Sequence, residues 1–299
     1  MIEVLHEHTW QGRQTRHHER VQALLAGHLD RARRGEKHPV EDFLFTYYSL
    51  RPAHLRRWHP GAGVALAGAA ALSRSGWREH VLVDVRGPGG DTVPAVTLDA
   101  CGFATRREQM VRHVRALLAA TASRPAQLGC FGLHEWAMVY RQTPDAVRHV
   151  GWPLRLGPRE TDAVVEAHRI RCTHYDAYRF FSPDAAPRNL LRPSREEALA
   201  LEQPGCLHAT MDLYKWAYKL LPAVPSELVV DACELARDAR ELDMRASPYD
   251  LSALGYPPVR IETPEGKSAY VAAQRAFADR GATLRSRLRQ ALDLLGPHP

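Results

Sequence analysis

Hydrophobic positions recur at spacings of three and four along most of the chain, and the elements they predict are mostly helices. Val21, Leu24, Leu25 and Leu29 mark one face of a helix over residues 11–34, and Arg16, His17, Arg20, Arg31 and Arg34 mark the other. Pro39 interrupts, and residues 40–50 predict a second helix with Glu41 and Asp42 near its positive end. Further helices are predicted over 105–120, 133–140, 161–168, 195–202 and 207–220. Two longer ones follow, over 227–245 with Ser226 as its cap and over 264–295. The period changes between residues 62 and 100. There, 81–85 and 93–98 flank Gly87-Pro-Gly-Gly90 and predict a hairpin or an irregular excursion. Residues 170–181 mix aromatic and polar residues with no clear period. The fold class predicted is mostly α: a single helical domain over 1–299 with a small irregular or β excursion around 62–100.

Composition agrees with a soluble globular chain. Of 299 residues, 45% are hydrophobic and 25% charged, too apolar for intrinsic disorder. No apolar run approaches the roughly 18 residues that a membrane span requires, and the N-terminus has no secretory h-region, so a cytoplasmic location with no membrane partner is expected. Five cysteines without a C-x-x-C pair point to free thiols rather than disulfides or a zinc knuckle. The net charge of +6 permits a nucleic-acid partner. Only Lys37, Lys215, Lys219 and Lys267 among the 40 basic residues are lysine, and an arginine bias can come from genome composition as readily as from anion contacts.

Candidate chemistry lies where polar groups sit inside apolar segments, because a buried carboxylate or imidazole costs several kcal/mol unless it is paired. His134 and Glu135 lie between Leu133 and Trp136, His174 and Asp176 lie among four aromatics, and His208 and Asp212 sit at i, i+4 on a largely apolar helix. Three readings remain open. Local braces would pair His208 with Asp212, Glu241 with Arg245 and Asp176 with Arg179. General acid/base catalysis would use Asp176, Glu135, His174 and His208, with Trp136, Tyr140, Tyr175, Tyr178 and Arg179 holding a flat substrate and no cofactor needed. A metal centre for non-haem iron, manganese or zinc would draw on His134, Glu135, His174, Asp176, His208 and Asp212. Asp145 and His149 form one further i, i+4 pair. P-loop, dinucleotide-binding and nucleophile-elbow motifs are absent.

The segments His38-Pro-Val-Glu-Asp-Phe-Leu-Phe-Thr-Tyr-Tyr48, Leu55-Arg-Arg-Trp-His-Pro-Gly61, Glu202-Gln-Pro-Gly-Cys-Leu-His208 and Arg240-Glu-Leu-Asp-Met-Arg-Ala-Ser-Pro-Tyr-Asp250 resemble an actinobacterial family commonly labelled 3-methyladenine DNA glycosylase. So do residues 51–52, 130–140, 170–181 and 211–220, and the resemblance spans most of 13–290. It implies a repair enzyme that hydrolyses the N-glycosidic bond of alkylated purines in duplex DNA. Such a base already carries positive charge, so stacking plus one carboxylate would suffice. Phosphate contacts would fall to Arg51, Arg56, Arg57, Arg106, Arg112 and Arg115. The alternative expectation is a metal-dependent oxidoreductase or hydrolase acting on a small molecule. A third is a helical adaptor whose polar clusters only brace its core.

Overall fold

The computed structural model describes residues 2–48, 50–87, 90–143 and 151–296. In chain order it runs β1 (Glu3–Leu5), α1 (Glu7–Arg34), α2 (Phe43–Tyr47), α3 (Pro52–Leu55), β2 (Val64–Ala67), β3 (His80–Arg86) and β4 (Thr92–Leu98). Helices complete it: α4 (Ala100–Arg106), α5 (Glu108–Ala122), α6 (Leu133–Val139), α7 (Pro158–Glu166), α8 (Tyr175–Tyr178), α9 (Ala198–Leu201), α10 (Leu207–Lys219), α11 (Ser226–Arg245) and α12 (Pro264–Asp293). The chain is therefore mostly α with one small sheet, and the β excursion falls where the period changed. No helix among the described residues is long and apolar enough to cross a membrane.

Two helices form the centre. α10 buries every residue from Leu207 to Tyr214, and α11 buries Leu228, Val229, Val230, Leu235, Ala236, Ala239 and Leu242 on several sides. Because α10 is enclosed over the whole of Leu207–Tyr214, the polar groups His208 and Asp212 on it are buried too. α12 is the contrasting type. Its buried positions Tyr270, Gln274, Ala278, Gly281, Leu284, Leu288 and Leu292 form one stripe along 30 residues. Thr263 caps α12 by accepting from Gly266 N at 3.1 Å. Gly266 has no substitute there, since a Cβ would fall 1.8 Å from Arg260 O.

The sheet has the order β1-β2-β4-β3. The predicted hairpin is β3–β4, antiparallel from His80 opposite Leu98 to Arg86 opposite Thr92. β1 and β2 add a parallel pair that the pattern did not predict. Other boundaries differ too. α1 begins at Glu7, four residues early, and the 40–50 helix shrinks to the five residues of α2. Arg107 interrupts the 105–120 helix, and the 195–202 helix is only Ala198–Leu201. Ser226 is not a cap but the first residue of α11; its Oγ accepts from His59 N at 2.9 Å and donates to Arg57 O at 3.1 Å. His17, expected in solvent, is buried with Nε2 2.7 Å from Leu55 O. His28 pairs with Asp42 at 2.9 Å. The Asp145 and His149 pair lies outside the described residues.

Much of the arginine excess on this side of the molecule joins helices. Arg13 of α1 meets Glu227 of α11 at 3.0 Å, and Arg20 meets Asp231 and Glu234 at 2.8 and 2.7 Å. From α12, Arg280 reaches Asp238 at 2.8 Å and Arg287 reaches Asp231 at 2.6 Å. The acidic face of α11 thus pairs chiefly with its neighbours, although Glu241 does meet Arg245 at 3.1 Å as predicted.

Candidate functional site

Four chain segments meet against α10. Phe131 and Gly132 both adopt left-handed backbone (φ 49° and 69°), which turns the chain sharply into α6 and buries His134, Glu135 and Trp136 in succession. The loop ahead of α8 brings in His174, and the loop after α9 brings in Glu202. α11 contributes Arg240 and Asp243. The i, i+4 residues of α10, His208 and Asp212, do share a face, but they do not pair with each other. Each belongs to a different cluster.

The first cluster is His134, His208 and Asp243, all buried, with one ligand atom from each lying within 4.8 Å of the others. His134 Nε2 is 2.9 Å from Asp243 Oδ1, an ion-pair distance. The His134 and His208 rings meet edge to face at 4.5 Å. Behind them, Arg240 Nη1 donates to Asp243 Oδ2 and to Glu135 Oε1, each at 2.9 Å. On the other side of the ring, Cys130 Sγ is 3.9 Å from His134 Nδ1. Burial and the neighbouring His134 push His208 well below its ordinary pKa, leaving a neutral imidazole with a lone pair. Burial would raise Asp243, but His134 and Arg240 outweigh it and hold the carboxyl ionised. Burial would equally depress His134, and Asp243 reverses the sign.

The second cluster is His174, Glu202 and Asp212, again buried and within 4.8 Å. His174 Nε2 lies 3.4 Å from Asp212 Oδ2 and 3.9 Å from Glu202 Oε2. Asp212 already has partners: the Tyr48 hydroxyl donates to Oδ1 at 2.7 Å, and the Lys215 ammonium sits on Oδ2. Against the pull of burial, Lys215 and His174 lower its pKa far below the usual carboxylate range. Burial raises that of Glu202. The His174 and His208 rings are 5.3 Å apart, so the two clusters adjoin through imidazoles.

Each cluster borders a cavity. One of about 350 Å³ is lined by His134 and His208 together with Cys130, Cys172 and Cys206. Burial raises the Cys172 thiol to about 12, so it stays protonated. The other, of about 400 Å³, is lined by His174, Asp212, Tyr175, Asp176, Lys215 and Trp216.

The residues singled out by sequence divide accordingly. His134, His174, His208 and Asp212 are brought together. Glu135 stands one layer back, holding Arg240. Asp176 lines a cavity and pairs with Arg179 at 3.1 Å as the brace reading predicted, but it joins neither cluster. Tyr175 lines the same cavity. Trp136 is fully buried and donates to Ala246 O at 2.9 Å, and Tyr140 is fully buried and donates to Glu166 at 2.7 Å, so neither presents a face to a substrate. Tyr178 packs on Phe181 at 5.2 Å, and Arg179 lies over Phe180 at 4.2 Å.

The arginines proposed for phosphates are scattered in role. Arg115 donates to Leu292 O and Gly296 O at the end of α12, Arg112 faces Glu108 at 3.4 Å, and Arg106 faces Asp99 at 3.6 Å. Arg51, Arg56 and Arg57 make no ion pair among the described residues. Asp243 and Glu202 were missed. Glu202 lies just ahead of His208, but Asp243 is one of seven charged residues in 228–244, so nothing local set it apart. No family model, curated protein or solved structure matches the chain.

Proposed function

We propose that the protein is a metal-dependent enzyme acting on a small molecule, with a divalent ion of iron, manganese or zinc held by His134, His208 and Asp243. The observation that carries this reading is the convergence of one ligand atom each from His134, His208 and Asp243, all buried and all within 4.8 Å of one another. Two imidazoles and one carboxylate form a ligand set that leaves coordination positions open, common to non-haem iron and catalytic zinc sites. The open side would face the 350 Å³ cavity, a size suited to a small substrate. Arg240 and Glu135 would orient the carboxylate, as outer-layer partners do in metal sites. Such an ion supplies Lewis acidity and lowers the pKa of bound water. His174, backed by Asp212 and Glu202, is positioned one ring away to move a proton.

The test is elemental analysis of protein purified without an affinity tag. Stoichiometric iron, manganese or zinc, lost in His208→Ala, is expected. Metal-free protein whose melting temperature ignores all three ions would rule the reading out.

A second reading, excision of alkylated purines from DNA, draws support from the other cavity. There Asp176 and Tyr175 share a wall with Trp216, Arg195 and Lys215, combining a carboxylate, flat rings and cations. Release of free 3-methyladenine from alkylated duplex by the wild type, abolished in Asp176→Asn, would favour it.

A further inference from the structure

A cavity of about 660 Å³ lies away from both clusters, between the sheet and the C-terminal end of α10. Its lining has a strong charge imbalance. Arg57, Arg78, Arg107 and Lys219 face one carboxylate, Glu79. Neither Arg57 nor Lys219 makes an ion pair among the described residues. Glu79 does not consume the arginines' donors either. Its side chain is buried at 3% exposure, with Arg78, Arg106 and Arg107 around Oε1 at 3.9, 3.9 and 3.7 Å, and neither oxygen makes a hydrogen bond. The carboxylate therefore gathers guanidinium groups from two chain segments by charge alone and leaves their N–H groups unspent. The donor that is committed, Arg107 Nη1 to Lys219 O at 3.1 Å, fixes the arginine beside the lysine.

The remaining wall is aromatic and aliphatic, with Met110, Leu221 and Pro222 beside the rings. Trp77 stands edge-on to His59 at 5.6 Å, and Tyr218 stacks on His54 at 5.9 Å with 16° between the planes. Unspent guanidinium donors are the recurring means of holding phosphate, and a flat ring stacks on aromatic walls. A cavity of this volume holds both parts of one ligand.

We infer that this cleft binds a phosphate ester carrying a flat heterocycle, with the phosphate among Arg57, Arg107 and Lys219 and the ring against Trp77 and Tyr218. A free mononucleotide and a nucleotide within a single strand share that chemistry. The site stands independently of the metal reading, since no residue of the His134 cluster lines it.

Calorimetric titration of the full-length protein with adenosine 5′-monophosphate, ribose 5-phosphate, inorganic phosphate and a short single-stranded oligonucleotide tests the inference. The mononucleotide is expected to bind about tenfold or more tightly than ribose 5-phosphate, because base stacking is worth roughly 1–3 kcal/mol. Arg57→Ala and Lys219→Ala, both at exposed positions that fold without their side chains, are each expected to weaken the mononucleotide by about tenfold. An oligonucleotide that binds more tightly than the mononucleotide, and loses that affinity in Arg57→Ala, identifies the strand as the source. The reverse order identifies the free nucleotide. No binding by any of the four overturns the inference. So does equal affinity for ribose 5-phosphate and the mononucleotide, or affinity indifferent to both variants.

Discussion

The two buried clusters are built from similar parts and differ in what balances their charge. In the His174 cluster the cation is part of the chain: Lys215 sits on Asp212, three residues along the same helix, and Tyr48 takes the other oxygen. In the His134 cluster the helical cation, Arg240, is also three residues from its aspartate, but it binds Oδ2 and leaves Oδ1 turned toward two imidazoles. One carboxylate is taken up by Lys215 of its own helix and by Tyr48; the other has one oxygen directed at a point where His134 and His208 converge. Ligand composition alone does not separate a brace from a metal site. The direction in which the remaining lone pairs point does so better.

The sharpest way to break the comparison is Asp243→Ala. It strands Arg240 and His134 without their shared anion in a fully buried setting. The expected loss is about 3–5 kcal/mol, the cost of removing one partner from a buried charge network, measured as a fall in the urea midpoint. A loss under about 1 kcal/mol would mean that water reaches the cluster and solvates the stranded charges.

Metal removal is the next largest effect and separates the clusters directly. Dialysis against a chelator is expected to destabilise the wild type by roughly 2–3 kcal/mol if the ion is near 100 times its dissociation constant. His208→Ala should show no further change on chelation. His174→Ala should still respond, because its cluster already holds Lys215. Equal responses from both variants would place the ion between the clusters rather than in the first.

Lys215→Met converts the second cluster toward the state of the first. Lys215 is only partly buried, with 16% of its side chain exposed, so the loss in metal-free buffer is expected to be modest, about 1–3 kcal/mol. With the ammonium gone, His174, Glu202 and Asp212 offer an imidazole and two carboxylates, and added manganese or zinc should restore part of the loss. Destabilisation that no ion relieves would show that the lysine is an indispensable brace.

Sequence reasoning reached the long elements and four of the six cluster residues. α10 and α12 were legible because their buried positions repeat over several turns and prolines mark their ends. β1 and β2, of three and four residues, were not, since Val64-Ala-Leu-Ala67 is buried throughout and shows no alternation. His134, His174, His208 and Asp212 stood out as polar residues in apolar surroundings. Their true partners did not, because Asp243 is 109 residues from His134 and Glu202 is 28 from His174, and only tertiary packing unites them. The i, i+4 rule was right that His208 and Asp212 share a face; the brace reading, which paired them with each other, fails because that face feeds two clusters. A similar limit explains the arginines. Charge counting cannot tell Arg20, clamped to Asp231 and Glu234, from Arg57, which has no ion-pair partner among the described residues.

The smallest expected effect is at Asp176, where the two function readings part most cleanly. Its pair with Arg179 is partly exposed, at 30% and 39% of the two side chains, so solvent screens it. Asp176→Asn should therefore change stability by no more than about 0.5 kcal/mol, leave the metal content untouched and leave activity at the His134 cluster unaltered. The carboxylate nevertheless lines the 400 Å³ cavity beside Tyr175 and Trp216. If alkylated purines are expelled there, the same silent substitution should reduce base release from alkylated duplex by roughly a hundredfold or more, the range of a positioned acid or base. Thermal melts, metal analysis and a base-release assay on this one variant thus distinguish the two cavities. A variant equal to wild type in all three measurements leaves the His134 cluster as the place to look for chemistry.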